Sequence, residues 1–247
     1  MLDRDEVAVQ AGLWNMWAPV YDEWHNRDPA EEIDFLRKRA PADGHVLELG
    51  VGTGRVALGL ARTGLEVYGL DVSPVQVEAL LKKVQASDRV HCWVADMADF
   101  DVPVPMDLAY ATFSTLFSLL TQDRQVSFFL SGRRALKEGG RLVVQAYVPP
   151  PGLIKPSKNL TVRKVSPDGI DVSATVVDVA SQRISFQELS ITHDGRVTLL
   201  PVEQRYSWPS EIDLMARIAG FELCERYENY REAPYGSGSP GHVSVYR

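Results

Sequence analysis

The stretch His45-Val46-Leu47-Glu48-Leu49-Gly50-Val51-Gly52-Thr53-Gly54 decides how the chain reads. Its first five residues read as a short buried strand, and the three closely spaced glycines after it allow a sharp turn into which a ligand can come close. Val56 to Thr63, closed by Gly64, reads as the helix that follows. Strand, glycine turn and helix make the first unit of an open α/β sheet, where ligands bind beyond the carboxyl ends of the strands.

Working outward, Glu66 to Asp71 reads as a second strand, and Ser73-Pro74 supplies the N-cap and first residue of a helix running to about Ala86. Val90 to Ala95 and Met106 to Ala111 are the third and fourth strands. Gln122 to Leu136 is a helix stopped by Gly139-Gly140, and Arg141 to Val148 is the fifth strand. This alternation predicts a doubly wound, mostly parallel sheet. After Pro149-Pro150-Pro151-Gly152 the rhythm changes. Leu160 to Ser207 shows β-branched alternation with hairpin signals at Asp168-Gly169 and Asp194-Gly195, an antiparallel insert expected to lie over one end of the main sheet. A capped helix from Ser210 to Ala219, then strands over Phe221 to Tyr230 and His242 to Tyr246, complete seven strands. Ahead of the sheet, from Glu6 to His25, Val9, Leu13, Met16, Trp17, Val20, Tyr21 and Trp24 recur at helical spacing, with the helix interrupted or kinked at Pro19, and a short helix covers Ala30 to Arg39. The chain therefore divides as one domain, 1–247: a helical lid (1–40), a ligand-binding core (41–150), the β insert (151–207) and the remainder of the core (208–247).

Of the 247 residues, 45% are hydrophobic and 24% charged, the balance of a folded globular chain. Lys and Arg number 26 against 33 Asp and Glu, and the net charge of −7 argues against a nucleic-acid or anionic-membrane binder. Cys92 and Cys224 stand far apart without metal-ligand spacing, which predicts buried thiols in a reducing compartment and no metal site. No signal-peptide pattern and no run of about 18 apolar residues is present, so a cytoplasmic protein is expected. The insert's edge strands make a homodimer plausible.

Asp71, at the end of the second strand, suits a ribose, because a carboxylate there can accept hydrogen bonds from both hydroxyls. A nicotinamide fingerprint would need a third glycine at position 55, where Arg55 stands, and no Gly-Lys-Ser/Thr phosphate loop follows. Taken with the glycine turn, these residues resemble a class I S-adenosylmethionine-dependent methyltransferase. Glu48-Leu49-Gly50-Val51-Gly52-Thr53-Gly54 is similar to that family's E-x-G-x-G-x-G. Asp71 matches its ribose-binding acid and Asp96-Met97 the pair that meets the adenine. Thr112-Phe113-Ser114 matches the loop facing cofactor and acceptor, and Ala219-Gly220-Phe221 is a further family habit. The resemblance implies S-adenosyl-L-methionine as cofactor, held by Glu48, Gly50, Gly52, Gly54, Asp71, Val72, Asp96, Met97 and Thr112.

Trp17-Ala18-Pro19-Val20-Tyr21-Asp22 resembles the amino-terminal lid of methyltransferases that act on amines and sugars, with Tyr21 closing near the cofactor's carboxylate or methyl group. Alternatively, Trp14, Trp17, Tyr21 and Trp24 staple a helix to the domain. Tyr21, Tyr147 and His25 are the catalytic candidates, Tyr147 by closing the fifth strand toward the pocket mouth. His45, His91 and His193 are expected to face solvent, as is Arg205, whose other reading is a partner for a substrate carboxylate. The expected acceptor is a small molecule, first an amine nitrogen of a specialised metabolite, amino acid, peptide terminus or sugar. Other readings are a hydroxyl or carbon of an aromatic small molecule, to which Trp17, Trp24, Phe113, Phe117 and Tyr147 are suited, or a member that binds the cofactor without turnover.

Overall fold

A computed structural model describes residues 3–150 and 157–247; Pro151 and Gly152 of the predicted break lie outside the described residues. The parallel core is built from β1 (His45–Leu49), β2 (Glu66–Asp71), β3 (Val90–Val94), β4 (Met106–Ala111) and β5 (Leu136–Tyr147). With β10 (Leu223–Tyr227) and β11 (Gly241–Tyr246) they form one seven-stranded sheet ordered β10-β11-β5-β4-β1-β2-β3. Only β11 runs against its neighbours. The strand order reverses between β1 and β4, and side chains beyond their carboxyl ends open into a crevice at that point.

Period-two alternation divides the buried side chains between the two faces. Leu47 and Leu49 of β1 join Leu70, Phe117, Phe128 and Phe129 on one face, while Val46 joins Phe35, Leu60, Val67 and Tyr110 on the other. The first layer is closed by α6 (Gln122–Ala135) and α7 (Pro209–Ile218), the second by α3 (Ala30–Arg37) and α4 (Ala57–Ala61). The helix α5 (Pro74–Leu81) starts as the sequence predicts: the Ser73 hydroxyl accepts from the Gln76 amide at 3.1 Å, and Pro74 follows the cap.

The insert is a four-stranded antiparallel meander of β6 (Ser157–Ser166), β7 (Gly169–Asp178), β8 (Arg183–Thr192) and β9 (Val197–Arg205). Its register puts Ser173, Glu188 and Leu200 in one row, and Thr175, Phe186 and Val202 in the next, all on the face turned toward the core. Leu160, Val162, Val176 and Leu199 are exposed on the opposite face. Among the described residues no helix is long and apolar enough to cross a membrane.

Of the two outcomes expected at Pro19, the interruption is the one found: the helical stretch over Glu6 to His25 is two helices, α1 (Asp3–Trp17) and α2 (Tyr21–Trp24), separated by a turn around Pro19, where the missing N–H and fixed φ end the first. Several other expectations are corrected. The helix α5 stops at Leu81, not Ala86, because the Asp88 carboxylate takes the Gln85 N–H into a local turn. Gly139-Gly140 do not end α6; β5 begins at Leu136, and the glycines form a bulge opposite Met106 to Leu108. Ser210 caps nothing: α7 opens at Pro209 after Trp208, with no side-chain cap. The strand over Phe221 to Tyr230 shrinks to Leu223–Tyr227 with an irregular register at its start. Cys92 is half-buried and Cys224 exposed, so neither is the buried thiol expected.

Arg205 is neither solvated nor free for a substrate. It is buried, bonding Glu211 at 2.7 Å, Gln125 and Ser207 at 2.8 Å each, and Gln182 at 2.8 Å. This network joins the end of β9 to α6 and α7. Removing one partner of a buried ion pair strands the other, so Arg205→Met should lower unfolding free energy by about 3 kcal/mol. Urea denaturation checks this, and a midpoint unchanged from the parent would contradict the network's role.

Candidate active site

The carboxyl ends of β1, β2, β3 and β4 open into a cavity of about 330 Å³, closed on its other sides by α1, α2 and the inner face of the insert. Gly50, Gly52, Asp71, Val72, Asp96 and Met97 line its floor. Tyr21 and His25 line its lid side. Glu48, Gly54, Thr112 and Tyr147 do not reach the cavity wall.

Each glycine of the turn answers to a different neighbour. All three have positive φ, at +79°, +54° and +86° for Gly50, Gly52 and Gly54. A Cβ on Gly50 would sit 2.3 Å from the Thr115 methyl, and one on Gly54 would sit 2.2 Å from Leu80 Cδ1. A Cβ on Gly52 would meet nothing nearer than Gln76 Oε1 at 3.9 Å, so the space beside it is cavity. The space beside Gly52 is thus open to a ligand, whereas protein packing closes the space beside Gly50 and Gly54.

Asp71 is buried, and its two oxygens accept the backbone N–H of Gly52 and Ser73 at 2.9 Å each. Each oxygen retains a further lone pair. Burial raises its carboxyl above the usual carboxylate range, opposed by those backbone donors. Asp96 accepts from Arg124 at 2.8 Å and from the Ala98 amide at 2.9 Å. Gln76 Oε1 and both amide atoms of Gln10 are buried on the cavity wall with no partner among the described residues. Buried orphaned amides of this kind point to a polar ligand.

On the lid side, His25 packs between Trp17, Tyr21 and Phe113, with ring centroids at 5.4, 4.6 and 5.1 Å. Burial, and then the positive charges of Arg163 and Arg55, push its imidazole down to about 4. Burial pushes the Tyr21 phenol up to about 12. Phe113 and Ser114 both have left-handed backbones, φ 54° and 59°. They are held there by the bonds from the Ser114 amide to Gln145 O at 3.2 Å and from the Tyr147 amide to Ser114 Oγ at 3.1 Å. Tyr147 itself packs on Phe117 and donates to Gln204 at 3.2 Å, and it is Gln204 that lines the cavity.

The lid is pinned from both sides. Asp22 accepts from Thr53 Oγ1 at 2.6 Å and from Lys83, while Trp17 Nε1 donates to Pro201 O of the insert at 3.0 Å. The aromatic cluster therefore staples the helices and also walls the cavity. Sequence reasoning missed Gln10, Gln76, Arg124, Arg163 and Gln204. Gln76 was within reach as the third residue after the Ser73 cap; Arg163 gave no signal, because it sits at the irregularity between Val162 and Lys164 that breaks the alternation.

Residues 46–140 match the methyltransferase domain family. The chain is 33% identical to the CcbJ methyltransferase from Streptomyces caelestis, a match that covers 95% of this chain and 97% of that one, with a TM-score of 0.90. The chain belongs to the S-adenosylmethionine-dependent methyltransferases. Among curated proteins, the cypemycin N-terminal methyltransferase of Streptomyces sp is 29% identical over 211 residues, 84% of each chain. The amino pentose methyltransferase CalS10 from Micromonospora echinaspora shares the fold at TM-score 0.69 and 21% identity, over 91% of each chain. The cofactor of this methyltransferase is S-adenosyl-L-methionine, and its substrate class is small molecules. The residues present fit that cofactor: the open space at Gly52, the spare lone pairs of Asp71 and the orphaned amides of Gln10 and Gln76 suit a nucleoside with polar edges.

Glu48 lies beneath this floor and supports it. It is buried, accepts from the Tyr110 hydroxyl at 3.0 Å, and is pushed by burial up to about 8. A carboxyl raised in this way favours the folded state fully below its ordinary value of 4.5, and the advantage is lost as pH rises through about 8. Stability of the methyltransferase should therefore fall between about pH 5 and about pH 8 relative to Glu48→Gln, which has no charge to bury. Thermal unfolding of both proteins across that range tests this; parallel curves would show that Glu48 does not titrate in the fold.

Proposed function

We propose that the methyltransferase transfers the cofactor's methyl group to an amine nitrogen of a small molecule, such as an amino acid, peptide terminus, sugar or specialised metabolite. The observation that carries this reading is the basicity of the lid wall. His25, held down to about 4, is too weak a base to deprotonate a hydroxyl, and Tyr21, raised to about 12, stays a neutral phenol. A neutral amine attacks without prior deprotonation, so such a wall has only to orient it. The amine reading is also supported by the activity named for the cypemycin N-terminal methyltransferase.

When bound, S-adenosyl-L-methionine supplies a methyl group on a cationic sulfonium. On this reading Gly50 and Gly52 lie along its methionine part. Asp71, with Val72 beside it, accepts from the ribose hydroxyls, and Asp96 and Met97 meet the adenine. Tyr21, His25 and Phe113 exclude water from the reacting end and fix the acceptor's approach. Tyr147 acts through Gln204, whose side chain it holds. Glu48, Gly54 and Thr112 stand behind the floor and support it.

Incubation with the cofactor and paired acceptors that differ only in carrying an amine or a hydroxyl should give a one-methyl mass gain on the amine. Methylation of the hydroxyl partner alone would overturn the reading. Asp71→Ala should weaken cofactor binding by about 1–3 kcal/mol through loss of the ribose hydrogen bonds. Calorimetric titration checks it, and unchanged affinity in a folded variant would move the ribose elsewhere.

A further inference from the structure

Glu188 is a buried carboxylate on the insert wall of the cavity. It stands mid-strand in β8, opposite Ser173 of β7 and Leu200 of β9, and is only 8% exposed. Oε1 accepts from Ser173 Oγ at 3.0 Å and from the Arg163 guanidinium at 3.3 Å. Oε2 is buried and has no partner among the described residues. The other carboxylates of the cavity wall differ: Asp71 and Asp96 each have both oxygens hydrogen-bonded. A buried acceptor left open is destabilising, more so when charged, and packing alone would be served by a leucine, as at Leu200 in the same row.

Arg163 also lines the cavity, and its charge reaches the His25 ring. Arg163, and Glu188 paired with it, therefore line the cavity within electrostatic reach of the His25 ring, against which Tyr21 and Phe113 pack.

We propose that Glu188 is a specificity-determining residue for the acceptor, its Oε2 receiving an N–H from an amino group of the substrate. This rests on the amine reading above. A neutral amine that donates one N–H to Oε2 keeps its lone pair, and a side-chain carboxylate fixed by two donors holds that N–H in a defined direction. Ser173 and Arg163 are positioning residues that orient the carboxylate through Oε1. A fully substituted amine offers no such donor and is rejected by leaving Oε2 unpaired, the kind of discrimination a buried polar group gives; an acylated nitrogen keeps an N–H but has no free lone pair with which to attack.

The test uses Glu188→Gln with three probes: Ala-Ala-Ala with a free amino terminus, its N-acetyl form, and glucosamine. Ser173 and Arg163 both donate, so they keep the amide oxygen of the variant and place its NH₂ where Oε2 was, donor against donor. Binding to the full-length protein saturated with S-adenosylhomocysteine is measured calorimetrically, with KM and kcat alongside. The parent should bind and methylate at least one free amine and leave the N-acetyl form unmethylated. Glu188→Gln should keep its affinity for S-adenosylhomocysteine, lose about ten-fold or more in amine affinity, and raise KM with little change in kcat. Equal amine affinity in parent and variant would overturn the role of Glu188 while leaving amine methylation standing. A parent that binds no amine but methylates hydroxyl partners would overturn the amine reading itself. If Glu188→Gln melts early, Arg163→Ala, whose side chain is half exposed, is the second arm. It should raise amine KM several-fold at constant kcat, and an unchanged KM would count against the proposal.

Discussion

The hydrogen bond from the Gly52 amide to the Asp71 carboxylate, 2.9 Å long, is the constraint on which the rest of the site depends. It straps the glycine turn after β1 to the end of β2, beside two further bonds from the Gly50 and Val51 amides to Leu70 O, also 2.9 Å. The other Asp71 oxygen takes the Ser73 amide, which sets the entry into α5. Ser73 then caps that helix through Gln76 and donates to Asn15 of α1 at 2.7 Å. One buried carboxylate thereby organises a turn, a helix start and the seat of the amino-terminal helix. Backbone N–H donors reduce the cost of its burial without cancelling it.

That arrangement couples the two sides of the cavity. The lid touches the glycine turn through Asp22 and Thr53, and it touches the insert through Trp17 and Pro201. A shift of α2 away from the turn must therefore also disturb β9, whose inner face carries Val202 and Gln204 to the cavity. Tyr147 reaches the same strand through Gln204, and the strained Phe113-Ser114 backbone is fastened to Tyr147 and Gln145. Lid, insert and the loop after β4 form one connected wall, which is what an orientation mechanism requires of groups drawn from distant parts of the chain.

Most of the fold was legible because it rests on local signals: apolar runs of strand length, glycine punctuation and the Ser73-Pro74 cap. What was misread is set by partners that apolar patterning does not reveal, some of them far away in sequence. The bulge at Gly139-Gly140 depends on the pairing of β4 with β5 and the burial of Arg205 on Gln125, while the end of α5 depends on a local side-chain turn through Asp88. In the site, Asp71 and Asp96 stand at strand ends, where position alone marks them. Glu48 is marked by the motif, and alternation along β1 turns its side chain to the face of Val46, where it bonds Tyr110. Gln10 and Arg163 carried no such mark, since the cavity they line exists only once α1 and the insert have packed over the sheet.

The charge inside the cavity follows from how burial treats each group. Desolvation favours the uncharged form, so Tyr21 remains a phenol and His25 an imidazole across the neutral range, and neither adds charge to the wall. Three carboxyl groups, Asp71, Asp96 and Glu188, then face two guanidinium groups, Arg124 and Arg163. Arg124 is spent on Asp96 and Arg163 on one oxygen of Glu188. The balance left over is acidic, in a chain whose overall charge is already −7. The group left without a guanidinium partner is Asp71 on the cavity floor, so a cofactor carrying a sulfonium meets its carboxyl there, whereas the charges that reach His25 on the lid side are the guanidinium groups of Arg163 and Arg55. The lid side therefore contributes shape and orientation to the site, and not an acidic field.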